Sequence, residues 1–235
     1  MLNTSAPRTN QRSAALTAGL SLILMTAAAF FAYGFAHGKL VIAGNAALTV
    51  HNLSTSRLLF TAELLGWVII LICDILVAWG FYLYLKPIHQ PLSLLGAWLR
   101  LIYSSILGAA IMNLFMVQLL LNRSDLLFQD IRLLEADVML HLQAFETFWS
   151  VGLIMFGGHL LLVGLVALRS KIIPKGISLL LLLAAVGYML VHLLHAFLPE
   201  LDEVSKMLNL VFTLPMVAGE LGFGSWLLFT KKQVL

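Results

Sequence analysis

Residues 177–198 read ISLLLLLAAVGYMLVHLLHAFL, a run of 22 residues without Asp, Glu, Lys or Arg. Coiled as an α-helix, at about 1.5 Å per residue, such a run is about 33 Å long and matches a hydrocarbon core of about 30 Å. As a strand it fails. Nothing in it alternates with period two, and an open sheet edge in lipid would leave backbone N–H and C=O groups without partners. The stretch reads as a membrane-spanning helix.

The quoted run marks a segment at 173–197, and five others like it occur at about 14–36, 58–84, 98–121, 142–168 and 205–229. The whole chain of 235 residues is 61% hydrophobic and only 11% charged, with a mean hydropathy of +0.98. Soluble domains carry about 25% charge. The expected fold class is therefore all-α, an integral membrane bundle of six transmembrane helices forming a single domain over 1–235. Two arginines ahead of the first segment also fit a secretory signal, but its apolar stretch, at over twenty residues, exceeds the roughly 7–15 of a signal core. An uncleaved anchor is expected.

Charge then orients the segments, because cytoplasmic loops retain Lys and Arg. Arg8 and Arg12 precede the first span, Lys86 and Arg100 flank the turn after the second, Arg169, Lys171 and Lys175 follow the fourth, and Lys231 and Lys232 follow the sixth. None of these connections holds an acid. Asp125, Asp130, Glu135 and Asp137 follow the third span, and Glu200, Asp202 and Glu203 the fifth. Both termini are thus expected in the cytoplasm, with nine of the fourteen basic residues on their side. Basic residues scattered singly between apolar runs do not make a nucleic-acid stripe, so the expected partner is the lipid bilayer. The single cysteine, Cys73, lies in an apolar run and excludes an intrachain disulfide.

Two outer connections are long. Leu127, Ile131, Leu134 and Val138 recur at helical spacing among acids, the pattern of an amphipathic outer-face helix between spans three and four. The segment from His37 to Arg57 mixes apolar and small residues, and suits a re-entrant or surface-lying piece.

Ionisable groups within the spans carry the functional expectation, since each costs about 2.5–3.5 kcal/mol near a helix centre and needs a partner, a cavity or neutralisation. Glu63 and Asp74, eleven residues apart, share one face of the second span; Asn209 and Glu220 do so in the sixth, with Pro215 between them. The fourth carries His141, Glu146 and His159, the third Asn113 and Gln118, and the fifth stacks Tyr188, His192 and His195 on one stripe. The candidate ligand-binding set is Glu220, His159, His192, Glu146, His195, Glu63, Asp74 and Asn209, around a polar cavity opening outward. Interfacial solvation, or a hydrogen bond holding two helices together, is the plainer role open to each. No cofactor is required by the residues. Zinc on His192 and His195 with Glu146 or Glu63, and haem between two histidines, are the alternatives that the residue types allow.

The stretch from Phe145 through Trp149, Gly152 and Phe156-Gly157-Gly158-His159, with Gly164, Arg169-Ser170, Pro174, Gly176, Gly187-Tyr188, Pro199, Pro215, Gly219-Glu220 and Trp226-Leu227-Leu228, resembles a bacterial membrane family known as domain of unknown function 4386. Lys86-Pro87 is an earlier match. The resemblance implies a six-span, multi-pass protein of the bacterial inner membrane and no activity; His192 stands where many members have Asp. Binding or transport of a small solute or ion is the leading expectation. An intramembrane metal enzyme and a structural partner docking through the Gly-rich sixth span are the alternatives.

Overall fold

The computed structural model describes residues 6–123 and 130–230, and all its regular structure is helical. Asp125, Leu127, Lys231 and Lys232, which enter the charge and helix patterns, lie outside those residues. Helix α1, Ala6–Ala29, runs into a π-helical stretch, Phe30–His37, and a single turn, Gly38–Leu40. Then come α2, Ala46–Thr55; α3, Arg57–Asn122; α4, Ile131–Arg169; α5, Lys175–Phe197; and α6, Asp202–Phe229. Among the described residues, five helical stretches are long and apolar enough to cross a membrane.

Helix α3 accounts for two of the six expected segments. Its 66 residues would extend about 99 Å if straight, about three hydrocarbon thicknesses. The helix breaks at His89, whose φ of −160° and ψ of 90° leave the helical region between Pro87 and Pro91. His89 caps the second arm: its Nδ1 accepts the Leu92 N–H at 3.3 Å and its carbonyl accepts the Ser93 hydroxyl at 2.9 Å. Pro91 falls in the first turn of that arm, where its missing N–H costs nothing. The arms fold back on each other, bringing Asp74 of the first against Arg100 of the second.

The amphipathic stretch beyond span three is not a separate surface helix. From Ile131 it forms the opening turns of α4, because Leu134, Val138, Leu142 and Phe145, each no more than 4% exposed, continue one buried stripe with no Gly or Pro to interrupt it. The connection after His37 contains α2, capped where the Asn45 side chain accepts the Leu48 N–H at 3.0 Å. Gly44, at φ 73°, makes the turn before it.

Two compact units divide the chain. One comprises Met1–Leu24, Ile72–Ser105 and Ser150–Leu235. Its helices approach closely at small residues: a Cβ on Gly80 would stand 2.8 Å from the Ala14 carbonyl oxygen, and one on Gly157 3.0 Å from that of Ala185. In α6, a Cβ on Gly219 would meet the Leu180 backbone at 3.1 Å and one on Gly224 would meet Leu22 at 3.0 Å. Two of the sixth-span glycines expected on a partner face are thus occupied within the chain. Pro215 lies inside α6 without ending it. The other unit, Met25–Leu71 with Ile106–Trp149, has Trp67, Phe145, Leu53, Leu107 and Leu114 at its centre.

Arg12 closes the last turn of α6. Its Nη1 donates to the carbonyls of Leu227 at 3.0 Å and Thr230 at 2.7 Å, and its Nη2 to that of Leu228 at 2.8 Å. These are carbonyls that a helix C-terminus leaves without intrahelical partners. Arg12→Ala should cost about 2–3 kcal/mol, the range for hydrogen bonds to a charged group, read as a lower temperature of half-denaturation in detergent, with Arg12→Lys restoring only part because it lacks the planar fork.

Candidate functional site

Arg100 has apolar neighbours on both sides in Ala97-Trp98-Leu99-Arg100-Leu101-Ile102, so the second arm of α3 carries it inward as it carries Leu107 and Ile111. The charge pattern counts it among the basic residues flanking the turn after the second span, and the structure turns it into the protein interior. The side chain is wholly buried. A guanidinium stays charged at any accessible pH, so burial must be matched by acceptors.

Three helical segments supply them. Asp74 Oδ1 lies 2.6 Å from Nη2 and 2.9 Å from Nε. Glu220 Oε1, from α6, lies 3.4 Å from Nη1. His159 of α4 places Nε2 3.2 Å from the same Nη1, while its Nδ1 stands 2.8 Å from the Gly96 carbonyl oxygen. Arginine only donates and a carbonyl only accepts, so the partners assign a neutral His159 with the proton on Nδ1. Phe156 and Phe81 cover the guanidinium at 5.0 and 5.9 Å from ring centroid to Cζ. Asp74 and His159 are fully buried; the Glu220 side chain is 15% exposed. Asp74 Oδ2 is buried without a hydrogen-bond partner.

Three of the eight expected residues, Asp74, His159 and Glu220, therefore meet, and they meet on a cation that the charge pattern uses only as a topology signal. The signal available for Arg100 was its apolar flanks and the need of Asp74 and Glu220 for a counter-charge. Two more of the eight meet elsewhere. In the second unit His37 receives Glu63 Oε1 at 2.7 Å from Nδ1 and Glu146 Oε1 at 3.3 Å from Nε2. His37 was read only as the start of an outer connection.

The remaining three all lie in the first unit. His192 pairs its Nδ1 with the Ser150 hydroxyl at 2.9 Å and stacks on Tyr188. His195 and Asn209 are exposed, and the Asn209 carbonyl accepts the Thr213 hydroxyl at 2.6 Å. Among the described residues no three His, Cys, Asp or Glu side chains converge as metal ligands.

Comparison with known proteins agrees with the family resemblance of the sequence. Residues 17–230 match the family model described as Domain of unknown function (DUF4386). A protein of Archaeoglobus fulgidus, described as an uncharacterized protein, is 27% identical over 133 residues, which are 57% of this chain and 67% of that one. No solved structure matches the chain.

Removing one partner of a buried ion pair strands the other. Arg100→Gln should therefore lower stability by about 3–5 kcal/mol, and Asp74→Asn added to it should recover part of the loss instead of adding to it. Denaturation of the single and double variants in one detergent checks the sign of that coupling.

Proposed function

The chain belongs to the DUF4386 family, whose description assigns no activity, and from that premise we propose that it is a multi-pass protein of the bacterial cytoplasmic membrane that binds or moves a small ion or solute at the Arg100 cluster, with Glu220 as the exchanging group. Charge balance carries this reading. One guanidinium faces two carboxylates, and His159 is held neutral. With both acids ionised the cluster keeps one uncompensated negative charge, which costs several kcal/mol in a low-dielectric interior. A proton or a small monovalent cation neutralises it.

Glu220 is the partner suited to exchange. Its bond to Arg100 is the longest of the ion contacts in the cluster, 3.4 Å, and its side chain keeps 15% of its exposure where Asp74 keeps 1%. Asp74, held twice, serves as the fixed counter-ion. The reading of the chain as one transmembrane domain, with six crossings and both termini in the cytoplasm, is supported by the break of α3 into two arms and by the acid-free connections. Without Arg100, those still hold Arg8, Arg12, Lys86, Arg169, Lys171, Lys175, Lys231 and Lys232.

The test is flux. The full chain reconstituted in liposomes, with a pH-sensitive dye inside, should dissipate an imposed proton, sodium or potassium gradient. Glu220→Gln should slow it by about tenfold or more, the factor that 1.4 kcal/mol in site occupancy gives, while the variant still binds detergent and melts like the parent. Equal flux in the parent and Glu220→Gln, or none in either, contradicts the assignment.

A further inference from the structure

The second cluster is a different device, independent of Arg100. His37 is 7% exposed and closes the π-helical stretch Phe30–His37; such insertions in helices are frequent at functional sites because they re-aim a side chain. Here the ring is aimed between two carboxylates on two other helices, Glu63 of α3 and Glu146 of α4.

A neutral imidazole has one N–H and one lone pair, so between two ionised carboxylates one lone pair would face another. The arrangement needs at least one further proton, on the ring or on an acid. The side chains also form a gradient of access: Glu146 is 37% exposed, His37 9% and Glu63 0%. Glu63 Oε2 is buried with no hydrogen-bond partner. Aromatic side chains wall the line. Tyr33 stacks on His37 at 5.5 Å, Phe145 lies 5.8 Å from the imidazole, and Trp67 stands 5.0 Å from Trp149. No group of three His, Cys, Asp or Glu placed to hold a metal ion is found among the described residues. Charged or titratable groups facing the ring are Glu63, Glu146 and Tyr33; Trp67 and Trp149 add two indole N–H groups with no bonded partner.

We propose that Glu146, His37 and Glu63 form a proton relay that loads Glu63 from the side on which Glu146 is exposed. A proton delivered by hydronium to the Glu146 carboxylate, leaving water, passes to His37 Nε2, breaking O–H and forming N–H. The Nδ1–H bond then breaks as the proton passes to Glu63 Oε1, and the ring is left neutral in its other tautomer. One proton enters, one rests on Glu63, and no other reactant is consumed. Unloading reverses the same steps. This is the use for which imidazole is suited, two nitrogens exchanging roles across one ring.

Infrared difference spectroscopy of the full chain in lipid, after a light-triggered proton release, reads the event directly. The parent should show a protonated-carboxyl band that Glu63→Gln removes and Glu220→Gln leaves in place. His37→Gln, which fills the same space without relaying a proton, should slow the rise of that band by about a hundredfold, the lower end for a positioned acid-base group. Glu146→Gln, at a half-exposed position that folding tolerates, should slow it while leaving its final height. Absence of the Glu63 band in the parent, or its rise at the parent rate in both His37→Gln and Glu146→Gln, overturns the proposal. Because Glu220→Gln keeps the band, failure here is distinct from failure of the Arg100 reading.

Discussion

The charge of one buried arginine constrains the first unit more than any apolar contact does. A Leu can slide along a neighbouring helix at little cost, but a guanidinium with no water around it must keep its acceptors within hydrogen-bond reach. Arg100 draws those acceptors from the opposite arm of α3, from α4 and from α6. The fold-back at His89, the register of α4 that brings His159 to Gly96, and the position of Glu220 along α6 are each limited by the same group. Small residues at Gly80, Gly157 and Gly219 let the backbones come near enough for these contacts to close.

Both polar clusters hold two carboxylates around one basic side chain, and they differ in what that side chain can do. Arginine cannot release its proton, so its cluster works as a fixed charge with one loosely held acid. Histidine can, so the cluster at His37 works as a conduit. The identities also suit their surroundings: Arg100 is covered by Phe81 and Phe156, whose ring faces attract a cation, whereas His37 is stacked against Tyr33 and has a carboxylate oxygen 2.7 Å from Nδ1 and another 3.3 Å from Nε2.

Much of the helical framework was legible in the chain itself, since a run such as 177–198 has only one stable form in lipid. The two arms of α3 were separable because Lys86-Pro87 and Pro91 punctuate an otherwise apolar stretch. Asp74, His159 and Glu220 were legible as groups needing partners. Their convergence was not, because it joins positions 59 and 120 residues distant from Arg100, and spacing along one helix says nothing of which faces meet. The enclosure of Arg100 was not legible for a physical reason: a positive charge near the end of an apolar run is ordinarily held by water and headgroups. His37 escaped notice because a π-helical turn changes the face on which the last residues of α1 emerge. The extension of α4 back to Ile131 shows the same limit, as an amphipathic stripe does not say whether it lies on a surface or continues a span.

The central claim is that Arg100 is enclosed and held by Asp74, Glu220 and His159. Solid-state nuclear magnetic resonance of the chain in lipid, with labelled arginine and histidine, measures it most directly. The account predicts that the Arg100 guanidinium protons exchange slowly with water and that His159 carries its proton on Nδ1 with Nε2 bare. Rapid exchange at Arg100, as for a residue in a cytoplasmic turn, together with a doubly protonated His159, would contradict it.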